Sequence, residues 1–310
     1  MKHFNVVGFG ALNVDKLFKV NKIARAEEEG FITDCEESCG GSAANTIVGL
    51  ARLGCKVGFI GKVANDREGK MLVEDFRREG VDTSGIIHAK RGRSGTVMGF
   101  VDEKGERALY VDPGINDMID FDEINREYAF QTHFLHLTSF VGEKSFQTQK
   151  KLVEDLPKRI KVSFDPGELY ARKGSELETI IGRTFVLMPN QNELALITKK
   201  ADYREGAKVL LNKGVKIVAV KMGSKGCYVT DEKENHYIEP FKVKVVDTTG
   251  AGDAFCAGFL YGLLHGKSLY ECGRIGNFVA SRCIMKIGAR PGLPYLKDLE
   301  EPESKREMLF

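Results

Sequence analysis

The 310 residues predict a three-layer α/β/α fold, a mostly parallel central sheet with a small antiparallel β lid. Three observations carry this. Short apolar runs alternate with amphipathic stretches of helical period, the order that builds a parallel sheet covered on both faces. Two segments, about 14–34 and 91–112, break the alternation and read as extended antiparallel chain. No internal repeat, low-complexity tract or Pro/Ser-rich linker divides the sequence, so residues 1–310 are expected to form one α/β domain carrying that lid.

Val6 to Phe9 opens the chain as a strand, and GFGALNVD follows, Gly8 to Asp15. Its Gly8-x-Gly10 is a partial dinucleotide fingerprint, but Asn13 stands at the third glycine position and VDKLFKV continues as a strand, which argues against an NAD site. Val14 to Asp34 is the first lid segment. CGGSAANTIVGLARLG, Cys39 to Gly54, enters a helix behind two glycines. Val57 to Ile60 is the next strand, and GKMLVEDFRREG a helix closed by Gly80. SGTVMGFVDEKGERALYVD reads as a hairpin turning at Glu103, Lys104 and Gly105. Ile160 to Phe164, Phe185 to Met188 and Ile217 to Val220 are further strands, and NELALIT and YREGAKVLLNKG are helices. VVDTTGAGDAFCAGFLYGLL passes from a β-rich run into a long apolar helix, with a second helix after it. GLLHGKS, Gly262 to Ser268, looks like a Walker A loop, but it has three residues between its glycines and follows a helix, so it reads as a helix C-cap. The Lys/Glu-rich tail after Pro294 reads as a solvated helix.

Composition narrows the class. Hydrophobic residues make up 42% and charged residues 29%, the balance of a globular chain. A net charge of +2, with the basic residues spread out, argues against a nucleic-acid partner. No apolar run approaches the ~20 residues of a membrane span, and the start reads as a strand and not a signal peptide, so a cytoplasmic location is expected. The seven cysteines are odd in number and scattered, which predicts reduced thiols. Cys35 and Cys39, the close pair, lack zinc-site partners. His136 has no nearby Ser/Asp constellation and reads as a core or strand-end residue.

Four motifs could carry chemistry. In DTTGAGDAF, Asp247 to Phe255, the small residues Gly250, Ala251 and Gly252 leave backbone N–H groups uncovered at a helix start, an anion cradle. Asp253 stands beside it, either as a base for an attacking hydroxyl or as an ordinary N-terminal cap. Gly40 and Gly41 permit close approach of a ligand to backbone, and Asn45 offers a donor and an acceptor suited to vicinal hydroxyls. In MPNQNE, Asn190 and Glu193 project to one side at a helix start, as a metal-organising pair or as a cap with an acid in the first turn. Asp15 ends GFGALNVD and reads as a turn aspartate or as a polar ligand.

Taken together these motifs resemble those of the ribokinase family, the PfkB-type carbohydrate kinases, along essentially the whole chain. DPG at Asp165 to Gly167 and GIND at Gly114 are also similar to family turns. The resemblance implies a ribokinase-like fold, with Asp253 as general base and Gly250, Ala251 and Gly252 as the anion hole. It puts the substrate at Asn13, Asp15, Gly40, Gly41 and Asn45, although Ser42 stands where many ribokinases carry lysine. Asn190 and Glu193 would organise Mg2+ through water. Asn190, Lys221, Gly223 and Gly226, with Lys225, fall beside the nucleotide triphosphate, and Asn277 near its purine. Asp247 and Thr249, with GARPG from Gly288 to Gly292, resemble a monovalent cation site for K+.

The activity implied is transfer of a phosphoryl group from ATP, or from ADP, to a hydroxyl of a sugar, a nucleoside or a related small molecule. Lys16, Arg91, Arg93 and Arg107, in or near the lid, are either a solvated face or receivers of a substrate phosphate, as in a kinase of ribose 1-phosphate. The lid segments are those that pair family dimers, so a homodimer through the lid is expected. Further alternatives are a catalytically silent sugar-binding regulator and a dehydrogenase.

Overall fold

The computed structural model describes residues 3–300. The chain opens with β1 (Phe4–Phe9), leaves the central sheet for β2 (Asn13–Val20) and β3 (Ile32–Gly40), and returns through α1 (Ser42–Arg52) to β4 (Val57–Ala64). Next come α2 (Arg67–Arg78) and β5 (Ile86–Ala89), then β6 (Gly95–Asp102) and β7 (Arg107–Asp112). The middle of the chain is α3 (Arg126–Ala129), β8 (Thr132–Thr138), α4 (Glu143–Asp155), β9 (Lys161–Asp165), α5 (Gly167–Ala171) and α6 (Glu178–Arg183). After these are β10 (Thr184–Leu187), α7 (Gln191–Thr198), α8 (Tyr203–Asn212), β11 (Ile217–Lys221), β12 (Cys227–Thr230) and β13 (Asn235–Ile238). Helices α9 (Ala251–Leu264), α10 (Leu269–Cys283) and α11 (Leu296–Glu300) close it.

Nine strands form the central sheet in the order β13-β12-β11-β10-β9-β8-β1-β4-β5. Its pairs from β11 through to β5 run parallel, and the β11-β12 and β12-β13 pairs run antiparallel. Alternation along each strand splits the core in two. In β4, Val57, Phe59 and Val63 face α1, α2, α9 and α10, while Ile60 faces the side covered by α4 to α8. Both faces are dry, as a parallel sheet requires.

Four strands form the lid, in the order β3-β2-β6-β7. The hairpin β6-β7 turns at 103–106, where Gly105 has φ 81°. The first lid segment runs well past its expected end at Asp34, because β3 pairs along the whole of β2, from Ile32 opposite Val20 to Gly40 opposite Asn13. A second difference concerns the β-rich run before Asp247. Residues 239–250 hold no strand, and Val245 and Val246 are about half exposed, since the sheet ends at β13 and offers them no partner. GLLHGKS is the expected turn, with α9 ending at Leu264 and Ser268 capping α10. Of the tail after Pro294, α11 is helical and the remainder lies outside the described residues. Among the described residues, no helix is long and apolar enough to cross a membrane.

The parallel strands β8, β9 and β11 end at Thr138, Asp165 and Lys221, and β10 gives way to Asn190. Helix α9, apolar all round and buried against α1 and α10, delivers its N-terminus to the same edge. A crevice at the carboxyl ends of parallel strands is where open α/β sheets bind ligands.

Candidate active site

At that edge lies a cavity of about 330 Å3, lined by Ser42, Asp165, Asn190, Glu193, Lys221 and Asp253 among others. Its floor is the start of α9. Gly250 caps the helix with φ 75°, and a Cβ there would sit 2.5 Å from that of Ala289, so only glycine makes this turn. The Ala251 N–H folds back onto the Thr248 carbonyl at 3.2 Å. Gly252 and Asp253 follow in the first helical turn, where backbone N–H groups have no acceptor within the helix and the dipole favours an anion.

The Asp253 side chain opens onto the cavity, yet protein surrounds it at longer range. Burial pushes its carboxyl up to about 7, and a hydrogen bond from Asn45 Nδ2 to Asp253 Oδ2, 2.9 Å, pulls the other way. A carboxylate poised near neutrality suits a general base. The Thr46 hydroxyl donates to the Asp253 carbonyl at 3.2 Å, fixing α1 against α9.

Lys221 lies above the cradle, its Nζ 3.2 Å from where a Cβ on Gly252 would be. It donates to Asp165 Oδ2 at 2.6 Å, and both side chains are less than one-sixth exposed. Burial opposes the ammonium, but the adjoining Asp165 carboxylate outweighs it and holds Lys221 above the usual lysine range. Cys256 Sγ donates to the same carboxylate oxygen at 3.4 Å. The Lys221 N–H also donates to the Pro189 carbonyl, 2.8 Å, tying the end of β11 to the next motif.

That motif is a capping box. Asn190 Oδ1 accepts from the Glu193 N–H at 2.9 Å, and the Glu193 carboxylate accepts from the Asn190 N–H at 2.8 Å and from its Nδ2 at 2.7 Å. Burial pushes the Glu193 carboxyl up, the Asp165 charge adds to that shift, and Lys221 opposes it. Among the described residues, no group of three or more His, Cys, Asp or Glu side chains could cage a metal. The donors present suit magnesium, which keeps much of its water and takes one or two carboxylates together with substrate phosphates.

The start of the lid does not line that cavity and is joined to it through Asn45, which bonds Asp253. A Cβ on Gly40 would stand 2.1 Å from Asp15 Oδ2, so glycine lets this carboxylate lie against the backbone. Burial pushes the Asp15 carboxyl up to about 6, with Arg290 opposing. Asn13 Oδ1 accepts from Asn116 Nδ2 at 2.9 Å, while Asn116 clasps the Leu12 backbone through both its amide groups. Gly41 caps α1. Asn45 is engaged on two sides: besides its bond to Asp253, its Oδ1 accepts from Arg290 Nε at 2.9 Å. One N–H and one lone pair of that amide remain. Lys16 and Arg93 are held by Glu68 at 2.7 Å and Asp112 at 2.9 Å.

The remaining sequence-assigned residues lie further out or serve as struts. Gly223 lines the cavity, whereas Gly226 sits where β12 begins, packed against the Ile238 carbonyl. Asn277 Nδ2 donates to the carbonyls of Ile238 at 3.1 Å and Glu239 at 2.9 Å, holding α10 to the end of β13. Asp247 accepts from the Thr249 N–H and hydroxyl and from the Gly288 N–H, which keeps its carboxyl below the usual range against the effect of burial. His136 is a buried strand residue whose Nδ1 meets Ser163 Oγ at 3.0 Å, and burial pushes its imidazole down to about 4. The cysteines are all free.

Sequence reasoning missed Asp165, Asn116 and Arg290. Asp165 was visible only as part of a turn, and its signal is an acid at the end of a predicted strand. No local pattern links Arg290 to Asn45, 245 positions away.

The sequence profile of the pfkB family carbohydrate kinases matches residues 4–296. An uncharacterized sugar kinase of Archaeoglobus fulgidus is 51% identical over 80% of this chain and 98% of its own length. An ATP-dependent ribose-1-phosphate kinase of Halopiger xanaduensis is 31% identical over 82% and 83%. The crystal structure of ribokinase from Thermotoga maritima superposes with a TM-score of 0.85 at 26% identity, covering 96% of this chain and 98% of that one. The chain thus belongs to the pfkB family of carbohydrate kinases and is a phosphotransferase acting on a sugar hydroxyl.

Proposed function

We propose that this kinase moves the terminal phosphoryl group of ATP to a hydroxyl of a small, uncharged pentose-like sugar or nucleoside, with Asp253 receiving the hydroxyl proton. The observation that carries the reading is Asp253 itself, in the first turn of α9, bonded by Asn45 and opening onto the cavity that also holds Lys221 and Asn190. ATP as donor is supported by the Halopiger relative, which is named ATP-dependent.

Asp15, Asn13, Gly40, Gly41 and Asn45 hold the acceptor. The O–H bond breaks as oxygen attacks the terminal phosphorus, the proton passes to an Asp253 oxygen, and the bond from that phosphorus to the bridging oxygen breaks so that ADP leaves. Negative charge on the transferring group meets the Gly250 to Gly252 turn, the amides of the first turn of α9 and the Lys221 ammonium, which are in place before reaction. Asn190 and Glu193 would hold magnesium through water, and the ion would supply charge neutralisation for the phosphates. Gly223 and Gly226 border the nucleotide and Asn277 supports the wall near its base. The Asp247 and Thr249 turn is the place for a monovalent cation.

An uncharged acceptor is favoured by the lid. Asp15 pairs with Val97 and Val97 with Val111, and Leu17 and Leu109 fall on the same face, since every second residue of a strand points one way. Lys16 falls on the opposite face, paired with Glu68. A second reading, a phosphorylated pentose as acceptor, is favoured by the Halopiger relative and by Arg107, which lies on the Asp15 face of β7. Phe31, Ile32 and Tyr110 are each more than half exposed, which supports pairing of two lids in a homodimer. The free thiols fit a reducing cytoplasm.

The test is a transfer screen crossing ATP and ADP with pentoses, hexoses, nucleosides and pentose phosphates. Highest kcat/KM with ATP and an uncharged acceptor is expected. Preference for a pentose phosphate would establish the second reading, and no transfer to any acceptor would overturn both.

A further inference from the structure

Arg290, in the loop between α10 and α11, is only 7% exposed, and every arm of its guanidinium is engaged. Nε donates to Asn45 Oδ1 at 2.9 Å on α1, Nη1 pairs with Asp75 on α2, and Nη2 reaches the Gly40 carbonyl at 3.4 Å, at the end of β3. The Phe76 ring lies under it, 5.8 Å from the guanidinium carbon. Its own carbonyl accepts from Arg52 Nη1 at 2.7 Å, which fixes the loop.

The chemistry of the middle link makes this more than packing. An amide has a donor end and an acceptor end, and arginine is donor-only. With Arg290 Nε on one side, the Asn45 amide must turn its oxygen to Arg290 and its NH2 group to Asp253, where the bond is 2.9 Å. Were the amide free to flip, its oxygen would face the Asp253 carboxylate and repel it. The same guanidinium holds the Gly40 carbonyl, beside the spot where Asp15 lies against the backbone.

We propose that Arg290 is a positioning residue for phosphoryl transfer: through Asn45 it fixes the orientation of the Asp253 carboxylate, and through Gly40 it sets that base relative to the acceptor site at Asp15. The assignment rests on Asp253 acting as the base. Asp75 keeps the buried cation neutralised, and a planar fork reaches three elements at once, which a lysine ammonium does not. Asp253 also faces Asp165 from β9, Lys221 from β11, Cys256 on its own helix and Cys283 from α10. Arg290 and Lys221 are the cations among these groups, and both favour the ionised base.

The test is a double-mutant cycle on the full chain, Arg290→Met and Asn45→Ala singly and together, with Arg290→Lys as the milder variant and melting curves to check folding. Arg290→Met is expected to lower kcat by about 10- to 100-fold, the scale of a misplaced catalytic group. In the Asn45→Ala background it should cost several-fold less than in wild type, because the Asn45 link is already gone and only the Gly40 contact remains to be lost. The acid limb of the kcat/KM profile should move to higher pH, since a cation favouring the charged base is lost. Arg290→Lys should recover the limb but only part of kcat. If Arg290→Met does not fold, the same cycle is run with Arg290→Lys, where the kcat loss is again expected to shrink in the Asn45→Ala background. Additive losses, an unmoved pH limb or a kcat near wild type would overturn the assignment. If Asp253→Asn itself keeps full turnover, the kinase-base reading fails. If that variant is dead while the Arg290 and Asn45 losses are additive, this inference alone fails.

Discussion

Replacing Asp253 by asparagine should make the protein more stable at the pH where it works. Folding moves this carboxyl from 3.8 to about 7, chiefly by burial. A raised acid favours the folded state only in its neutral form. That contribution is complete below about pH 4 and is lost as pH rises through about 7, so by pH 8 the fold carries an ionised group in a poorly solvated place. The full shift corresponds to about 4 kcal/mol. Because the side chain opens onto the cavity and shares the field of Asp165 and Lys221, about 1–3 kcal/mol is the working figure. Asparagine is isosteric, has an oxygen for Asn45 Nδ2 and carries no charge. In a chain of this size each kcal/mol moves Tm by about 2 °C. Melting curves of the two proteins at pH 8 should therefore differ by about 2–6 °C in favour of the variant, and the gap should narrow below pH 7 and close by about pH 4. A variant that melts below wild type at pH 8, or a gap that ignores pH, would refute the reasoning.

Other perturbations follow from the same contacts. Lys221→Met strands the buried Asp165 carboxylate and should cost about 3 kcal/mol in urea melts, with Asp165→Asn in the same chain recovering part of it. Gly250→Ala forces a Cβ into Ala289 at positive φ and should cost about 1–3 kcal/mol and weaken nucleotide binding by calorimetry. Asn190→Ala breaks the capping box, with about 1 kcal/mol lost in melts and a higher magnesium concentration needed for half-maximal rate. Tyr110→Asp, on the exposed lid face opposite Asp15, should turn the proposed dimer into a monomer in light scattering while the central sheet stays folded.

The alternation of apolar runs made the central sheet legible, because buried parallel strands must be apolar on both faces. Strand β3 was harder to bound. Ile32 to Ser38 is exposed and carries no apolar period, so only its pairing with β2 shows where it ends. The run before Asp247 alternates like a strand yet has no neighbouring strand, its Val246 N–H donating instead to the Ile284 carbonyl after α10, and periodicity is silent about partners. Within the site, Gly250 and Asp253 were readable because local backbone geometry limits what can stand there. Asp165 and Arg290 were not, since each acts through groups 56 and 245 positions away that only the fold brings within bonding distance. The Asn190 and Glu193 pair was readable in two ways, and the capping box accounts for its spacing whether or not it also meets a metal.

The most direct test of the account is the pH dependence of kcat/KM for the preferred acceptor, measured on wild type and on Asp253→Asn. If Asp253 takes the hydroxyl proton, wild type should lose activity below an ionisation near pH 7, and the variant should be slower by about 10²- to 10⁴-fold and lack that limb. Turnover by Asp253→Asn at a rate close to wild type, with the same limb, would contradict it.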